Sequence, residues 1–217
     1  MFGNVPKKLW EKWLPSDHEN KIELACRCLL VKHQNQNILF EAGVGAFFEP
    51  KLKERYGVVQ AQHLLLRSLE NCGLTDKDIH WIVLSHLHFD HAGGLLSEWN
   101  EQQEPQLLFP NAQFVVSHRA WERANNPHPR DRASFIPRLN ALLASSNRLN
   151  LVDQSSTILG PKFTFHQSDG HTPGMLLTEI QTENPILFAA DLIPGMAWVH
   201  LPVTMGYDRF PELVIDE

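Results

Sequence analysis

Short apolar, often β-branched runs alternate along the chain with polar and glycine-rich segments, a pattern typical of a mixed α/β protein. The predicted strands are Ile22–Val31, Ile38–Phe40, Trp81–Leu84, Gln113–Ser117, Arg148–Val152, Thr157–Phe165, Met175–Ile180 and Ile186–Ala190. The predicted helices are Glu49–Tyr56, Gln60–Asn71, His118–Ala124 and Ser134–Ala144. No internal repeat or linker interrupts this order, so the pattern predicts a single domain over residues 1–217.

The strongest chemical signal follows the strand Trp81–Leu84, in the run His86-Leu87-His88-Phe89-Asp90-His91. Residues two apart in an extended segment face the same side, so His86 and His88 can bind one metal ion together. Asp90 and His91 lie further on, where Gly93 and Gly94 let the chain turn, and can reach a second ion. Three imidazoles and one carboxylate in so short a run favour a metal site over a polar loop.

Two later positions carry the same kind of side chain. His171 lies in the stiff turn Gly170-His171-Thr172-Pro173-Gly174, between two predicted strands. Asp191 follows the apolar strand Ile186–Ala190, which we expect to be buried, and a carboxylate at its end is costly unless it is paired or coordinated. Each observation is weak alone and does not by itself assign a metal ligand.

The spacing His-x-His-x-Asp-His before Gly-Gly resembles the motif of the metallo-β-lactamase-fold hydrolases. The residues His-Leu-His-Phe-Asp-His-Ala-Gly-Gly are similar to those of the lactonase-like branch of that family. In that family a Gly-His-Thr-x-Gly turn supplies another histidine ligand, and His171 matches that position. The family also has a bridging aspartate after a later strand, and Asp191 matches it. The resemblance implies an α/β fold (α+β in some schemes) arranged as a four-layer αβ/βα sandwich, in which two sheets pack face to face.

The resemblance also implies the ligand set and the reaction. His86, His88 and His171 would bind one ion, Asp90 and His91 a second, and Asp191 would bridge them. Zn²⁺, two ions per chain, suits these nitrogen and oxygen ligands, with Fe or Mn left open. A metal-bound hydroxide would then attack an ester, lactone, thioester or amide carbonyl, and Asp90 would be the catalytic residue that accepts and returns the proton.

The sequence departs from the family pattern in two places. Glu41 stands where the family has the acid of an Asp-x-Gly turn, and we interpret it as a turn residue and not as a ligand. The family's last histidine ligand has no counterpart, because after Asp191 only His200 remains, and it is too near. We therefore expect the chain to lack the usual C-terminal helix and strand and to bind the second ion more weakly.

Composition limits the partners and the compartment. The net charge of −6 argues against nucleic acid as the main partner, because phosphate binding needs a basic surface. No signal-peptide pattern and no membrane-length apolar run are present, so we expect a cytoplasmic protein with a small-molecule substrate and no membrane partner. Three cysteines, an odd number, predict buried thiols and no disulfide. A homodimer is left open.

Three other functions fit the same residues. One is a non-catalytic or single-metal member of the fold, which the missing histidine favours. Another is an iron-dependent oxygenase, and the last is a tRNA-processing nuclease, against which the acidic charge counts. We interpret His63 as a surface or packing residue and His128 as a solvated loop residue. Four aromatic residues hint at an apolar acyl substrate: Phe47, Phe48, Phe135 and Trp198.

Overall fold

Eight strands form two sheets, one in each of two units of the computed structural model, which describes all 217 residues. The larger unit spans Cys26–Val152, and the smaller unit combines Met1–Ala25 with Asp153–Glu217. Both units contain strands and helices, which confirms the predicted α/β class. None of the helices combines the length and hydrophobicity that a membrane span requires.

The larger unit is built on a five-stranded sheet with the strand order β1-β2-β3-β4-β5. The strands are β1 Leu29–His33, β2 Gln36–Phe40, β3 Trp81–Val83, β4 Gln113–Ser117 and β5 Leu149–Val152. A hairpin joins β1 to β2, and its turn residues Gln34 and Asn35 both have positive φ, as such a tight turn requires. The remaining pairs are parallel, so the carboxyl ends of β2, β3 and β4 lie at one edge.

Helices connect the parallel strands of this unit and bury its core. They are α2 Pro50–Arg55, α3 Leu64–Asn71, α4 Phe89–Ala92, α5 His118–Asn125 and α6 Pro137–Ser145. Side chains of the sheet and of α3 and α6 bury fully in one cluster, including Ile82, Phe114, Leu69 and Leu139. Thr75 caps the single turn Asp76–Asp78, as its position in the sequence indicates, with Asp78 completing a capping box. This packing fixes the end of β3, from which the His-rich motif extends.

The smaller unit has an antiparallel sheet with the order β6-β7-β8 and two short helices. Its elements are α1 Lys7–Trp10, β6 Phe163–Ser168, β7 Met175–Ile180, β8 Ile186–Phe188 and α7 Pro211–Asp216. The ring of Phe2 stacks between Trp10 and Trp198, with centroid distances of 5.1 and 4.6 Å. The N-terminal segment therefore packs through its aromatic residues.

Two predicted strands begin later than the apolar pattern indicates. β1 starts at Leu29 and not at Ile22, because its partner β2 ends at Phe40, after which Glu41 turns the chain with φ of 66°. β6 starts at Phe163 and not at Thr157, because Gly160 has φ of 90° and Pro161 follows it.

Three further expectations are wrong. β8 is an edge strand whose Ile186 and Leu187 are 48% and 49% exposed, so the strand before Asp191 is not buried. Residues 211–216 form α7, although the acidic sequence there predicted no final helix. No disulfide joins the cysteines, as expected, but Cys26 and Cys72 are exposed and only Cys28 is largely covered.

Candidate metal centre

The His-rich motif starts in extended backbone and ends in one helical turn. His86 and His88 follow the buried end of β3, and His88 is the N-cap of α4, which carries Asp90 and His91. Gly94 lies against the chain after β2 so closely that an added Cβ would be 2.0 Å from the carbonyl oxygen of Ala42. Glycine is therefore required for the loop to close, which confirms the role that the sequence indicated for the Gly-Gly pair.

His86 and His88 face each other through one nitrogen each. Nε2 of His86 lies 3.0 Å from Nδ1 of His88, and both residues are buried. Two ligands of one tetrahedral zinc ion lie about 3.3 Å apart, given zinc–nitrogen bonds of about 2.0–2.1 Å. Ser85 Oγ contacts the other His86 nitrogen, Nδ1, at 2.8 Å, which directs Nε2 toward His88. The pair has the spacing of two ligands on one ion.

His91 and Asp90 form a second pair in the same turn. Nε2 of His91 lies 3.5 Å from Oδ2 of Asp90, and the rings of His91 and His86 are 4.1 Å apart. Ligand atoms of His86 and His91 lie within 4.8 Å of each other. The structure thus brings together the four residues that the motif predicted: His86, His88, Asp90 and His91.

A buried carboxylate lies behind His91. Glu41 is 2% exposed, and its Oε2 is 3.3 Å from Nδ1 of His91. Its Oε1 accepts a hydrogen bond from the backbone N–H of Ser85 at 2.8 Å. Glu41 does occupy a turn, as predicted, but its side chain also contacts a candidate ligand, which the sequence pattern did not show.

The smaller unit places the other two candidate ligands side by side. Nε2 of the buried His171 lies 3.3 Å from Oδ2 of Asp191, which is in the single turn Ala190–Leu192. The turn that holds His171 is fixed by Asp169, whose Oδ1 accepts a hydrogen bond from the Gly174 backbone at 2.7 Å. The spacing of the two ligand atoms again matches that expected on one ion.

His171 has a second carboxylate partner that sequence reasoning missed. Nδ1 of His171 donates to Oδ1 of Asp208 at 2.9 Å, and both residues are almost fully buried. Asp208 lies in a polar segment without periodicity, so no local pattern marks it. Asp208 follows His171 by 37 residues in the sequence, and only the fold brings the two side chains into contact.

The other histidines have structural contacts. His63 is buried and is the N-cap of α3, with Nδ1 accepting from Leu66 N–H and Nε2 donating to the Gly94 carbonyl at 2.9 Å. Its burial lowers the pKa of the imidazole below the usual value. His128 is an exposed loop residue that accepts a hydrogen bond from Arg130 N–H. The ring of the exposed His200 stacks on Trp13.

Sulfur is not among the candidate ligands. Burial raises the pKa of the Cys28 thiol to about 12, and the nearby Glu41 carboxylate adds to this shift. The thiol is therefore protonated at neutral pH, whereas a metal is bound by the thiolate. The donor set consists of imidazoles and carboxylates, which fits zinc and also fits iron or manganese.

An aromatic cavity of about 330 Å³ opens in the larger unit beside the His-rich motif. Its wall includes Phe89 from within the motif and Phe135, whose ring packs against that of His88 at a centroid distance of 4.8 Å. The other aromatic residues that line it are Phe47, Phe48, Tyr56 and Trp99. Trp198, which the sequence grouped with these, is instead buried in a small cluster with Phe2 and Met205.

Comparison with known proteins identifies related chains. A model of the metallo-beta-lactamase superfamily matches residues 22–216. An N-acyl homoserine lactonase from Bacillus sp is 25% identical over 188 residues, which is 78% of this chain and 64% of that protein. The chain therefore spans just under two thirds of the length of this lactonase.

Solved structures share the architecture. A probable metal-dependent hydrolase from Staphylococcus aureus is 28% identical, with a TM-score of 0.90, and the match covers 100% of this chain and 76% of that one. AidC, a dizinc quorum-quenching lactonase in complex with a product, is also 28% identical, with a TM-score of 0.65 over 87% of this chain and 64% of that one. These likenesses confirm the predicted metallo-β-lactamase-like fold.

Proposed function

The chain belongs to the metallo-beta-lactamase superfamily, and we propose that it is a metal-dependent hydrolase whose substrate is a lactone or a related ester. The observation that carries the proposal is the donor geometry of the His-rich motif. His86 and His88 present nitrogens 3.0 Å apart, and His91 and Asp90 present a second pair 3.5 Å apart. Such spacings suit two metal ions better than they suit a polar loop.

The proposed ligands are those of the sequence analysis. In this proposal His86, His88 and His171 would hold one ion, Asp90 and His91 would hold a second, and Asp191 would be a ligand of both. Zinc is the metal we propose, supported by the nitrogen and oxygen donors and by the relative AidC, which is a dizinc enzyme. Residues that orient the imidazoles support this assignment, since Ser85 and Asp208 contact Nδ1 of His86 and His171 and direct Nε2 away from themselves.

When bound, the metal ions supply Lewis acidity, which lowers the pKa of a water molecule and polarises the carbonyl of the substrate. Asp90 then serves as the proton carrier: its carboxylate accepts the proton of the attacking water and returns it to the departing alkoxide oxygen. The Asp90 side chain is 42% exposed, so it can reach a substrate, and His91 holds its Oδ2 in place.

The aromatic cavity is the proposed site for the acyl group of the substrate. Its rings pack on one another, with Tyr56 and Phe89 at 4.6 Å and Phe48 and Phe89 at 5.2 Å. Phe89 separates His88 from Asp90 in the sequence, so an acyl chain in the cavity has its carbonyl near the motif. Several of the related proteins are N-acyl homoserine lactonases, whose name implies an acyl chain of this kind.

The test combines metal analysis with substrate hydrolysis. Purified chain loaded with zinc is analysed for metal content and assayed for ring opening of N-acyl homoserine lactones and for hydrolysis of aryl esters. We expect the wild-type chain to bind two zinc ions and to turn over at least one lactone. The His88→Ala variant should lose the zinc and the turnover. The matched control is His166→Ala, because His166 is an exposed histidine in β6 that pairs with Glu179.

One result would overturn the hydrolase proposal while leaving the metal site intact. Full zinc loading without turnover across lactones and esters would make the chain a metal-binding protein and not a hydrolase. Absence of zinc binding by the wild-type chain would overturn the metal site itself.

A further inference from the structure

Two candidate metal ligands have a buried carboxylate on the far side of the ring. Asp208 contacts Nδ1 of His171, and Glu41 contacts Nδ1 of His91. We propose that Asp208 and Glu41 are positioning residues, which keep the proton on Nδ1 of these imidazoles so that the lone pair of Nε2 is available to the metal. This inference rests on the proposed metal site and adds two residues to it that lie far from the metal-binding motifs in sequence.

Asp208 cannot turn away from His171, because both of its carboxylate oxygens are engaged. Oδ1 accepts from His171 Nδ1 at 2.9 Å, and Oδ2 accepts the backbone N–H of Met205 at 2.6 Å. His171 and Asp208 are at most 3% exposed, so water does not compete for these hydrogen bonds. An ionised carboxylate only accepts hydrogen bonds, so the His171 nitrogen that faces Asp208, Nδ1, carries a proton.

The backbone beside Asp208 holds the same turn. The N–H of Arg209 donates to the carbonyl oxygen of His171 at 3.1 Å, and the N–H of Phe210 donates to that of Gly170 at 2.8 Å. Main-chain and side-chain contacts from one short segment thus fix the position of His171 and the rotation of its ring. On the other side of the ring, Nε2 lies 3.3 Å from Asp191 Oδ2.

Glu41 makes the corresponding arrangement at the His-rich motif. Its Oε1 accepts the N–H of Ser85 at the start of the motif, and its Oε2 lies 3.3 Å from Nδ1 of His91 at the end. Oε2 makes no hydrogen bond, so its contact with His91 is electrostatic and favours a proton on Nδ1, the nitrogen that faces it. The Ala42 N–H also donates to the His91 carbonyl at 2.8 Å, so two consecutive residues hold this histidine. An aspartate is one methylene shorter and does not span from Ser85 to His91.

The stability of the fold alone does not require buried carboxylates at Asp208 and Glu41. A buried carboxylate is costly to desolvate, and well-packed apolar side chains would serve the fold as well or better. Carboxylates behind metal-binding histidines instead fix the tautomer and increase the basicity of the ligand nitrogen, and their loss lowers metal affinity by about 10- to 100-fold.

The test uses Asp208→Asn, which keeps the shape and changes the hydrogen-bond pattern. An asparagine side chain has one acceptor oxygen, and the Met205 N–H can only donate, so it takes that oxygen. The amide NH₂ then faces His171 Nδ1 and forces the proton onto Nε2, the atom needed for the metal. We expect ¹⁵N NMR of the metal-free chain to show that Nδ1 of His171 carries a proton in the wild type and none in the variant. Zinc affinity should fall by about 10- to 100-fold in chelator competition.

The matched control is Glu179→Gln, which changes the His166–Glu179 contact of 3.0 Å in the same unit, away from the candidate ligands. It should leave zinc affinity unchanged. Glu41→Gln and Glu41→Asp test the second pair independently, with the same readouts on His91.

The outcomes separate this inference from the proposed function. Wild-type zinc affinity and an unchanged His171 tautomer in a folded Asp208→Asn variant would overturn the role of Asp208, even if the enzyme is active. If that variant does not fold, the two Glu41 variants decide the inference, and wild-type zinc affinity in both would overturn it. A wild-type chain that binds no zinc overturns the proposed metal site and this inference together.

Discussion

The imidazole of His63 donates a hydrogen bond from Nε2 to the carbonyl oxygen of Gly94, 2.9 Å away, and so ties the start of α3 to the loop that closes the His-rich motif. Nδ1 of the same ring accepts from the N–H of Leu66. One nitrogen donates and the other accepts, so the ring is neutral and has the Nε2–H tautomer. Burial, which lowers the pKa of His63, favours the same neutral form.

This geometry predicts how stability depends on pH. The pKa of His63 is lower in the folded than in the unfolded chain, so the unfolded chain binds more protons as the pH falls below the ordinary value of about 6.5. The stabilisation from His63 is complete above that value and decreases below it. His63→Gln should lose about 1–2 kcal/mol at pH 8, and the difference from wild type should shrink at pH 5.5. Urea unfolding at both pH values measures this, and a difference that grows on acidification would contradict it.

Gly94 gives a second prediction, because the structure leaves no room for a side chain there. An added Cβ would meet the carbonyl oxygen of Ala42 at 2.0 Å. Gly94→Ala should therefore cost about 3 kcal/mol or more in the free energy of unfolding. The control is Gly57→Ala, at a position with φ of 66° and nothing within 4 Å of the added Cβ. That change should cost only the backbone strain of about 1–2 kcal/mol, and equal losses in the two variants would show that the close approach is not limiting.

The contrast between Gly94 and Asp208 shows what local sequence can and cannot predict. The Gly-Gly pair lies one residue after a run of candidate metal ligands, so its role was visible from neighbours in the chain. The four candidate ligands of the His-rich motif were predictable for the same reason, since one strand end and one turn determine their directions. His171 and Asp191 needed the family resemblance, because a lone histidine in a turn and a lone aspartate after a strand are weak signals.

Contacts across long sequence separations account for what was missed. Asp208 meets His171 from 37 residues away, and Glu41 meets Ser85 from 44 residues away, so no periodicity links the partners. The apolar run at β8 predicted a buried strand, but sheet position decides burial, and β8 is at an edge. Propensity describes a segment alone, whereas burial and side-chain pairing depend on the segments packed around it.

Asp90 should be needed for turnover and not for folding. Its side chain is 42% exposed, so Asp90→Asn should leave the unfolding temperature near that of wild type. Loss of the proton carrier should lower kcat for lactone hydrolysis by about 100-fold or more. Steady-state kinetics with metal analysis measures both effects. Asp76→Asn changes an acidic residue of the turn Asp76–Asp78 and is the control. An Asp90→Asn enzyme with wild-type kcat would exclude the proton-carrier role.

Trp99 should select for the length of the acyl chain, because it lines the aromatic cavity while remaining 41% exposed. Removing its ring takes apolar surface from the cavity, and we expect a long acyl chain to reach that surface and a short one not to. Trp99→Ala should lower kcat/KM for a decanoyl lactone by about tenfold, equivalent to about 1.4 kcal/mol, and change that for a butanoyl lactone little. The matched control is Trp13→Ala, since Trp13 is 42% exposed and lies outside the cavity lining. Equal losses for the two chain lengths would indicate that Trp99 supports the reaction centre generally, and the acyl group would then have to bind elsewhere.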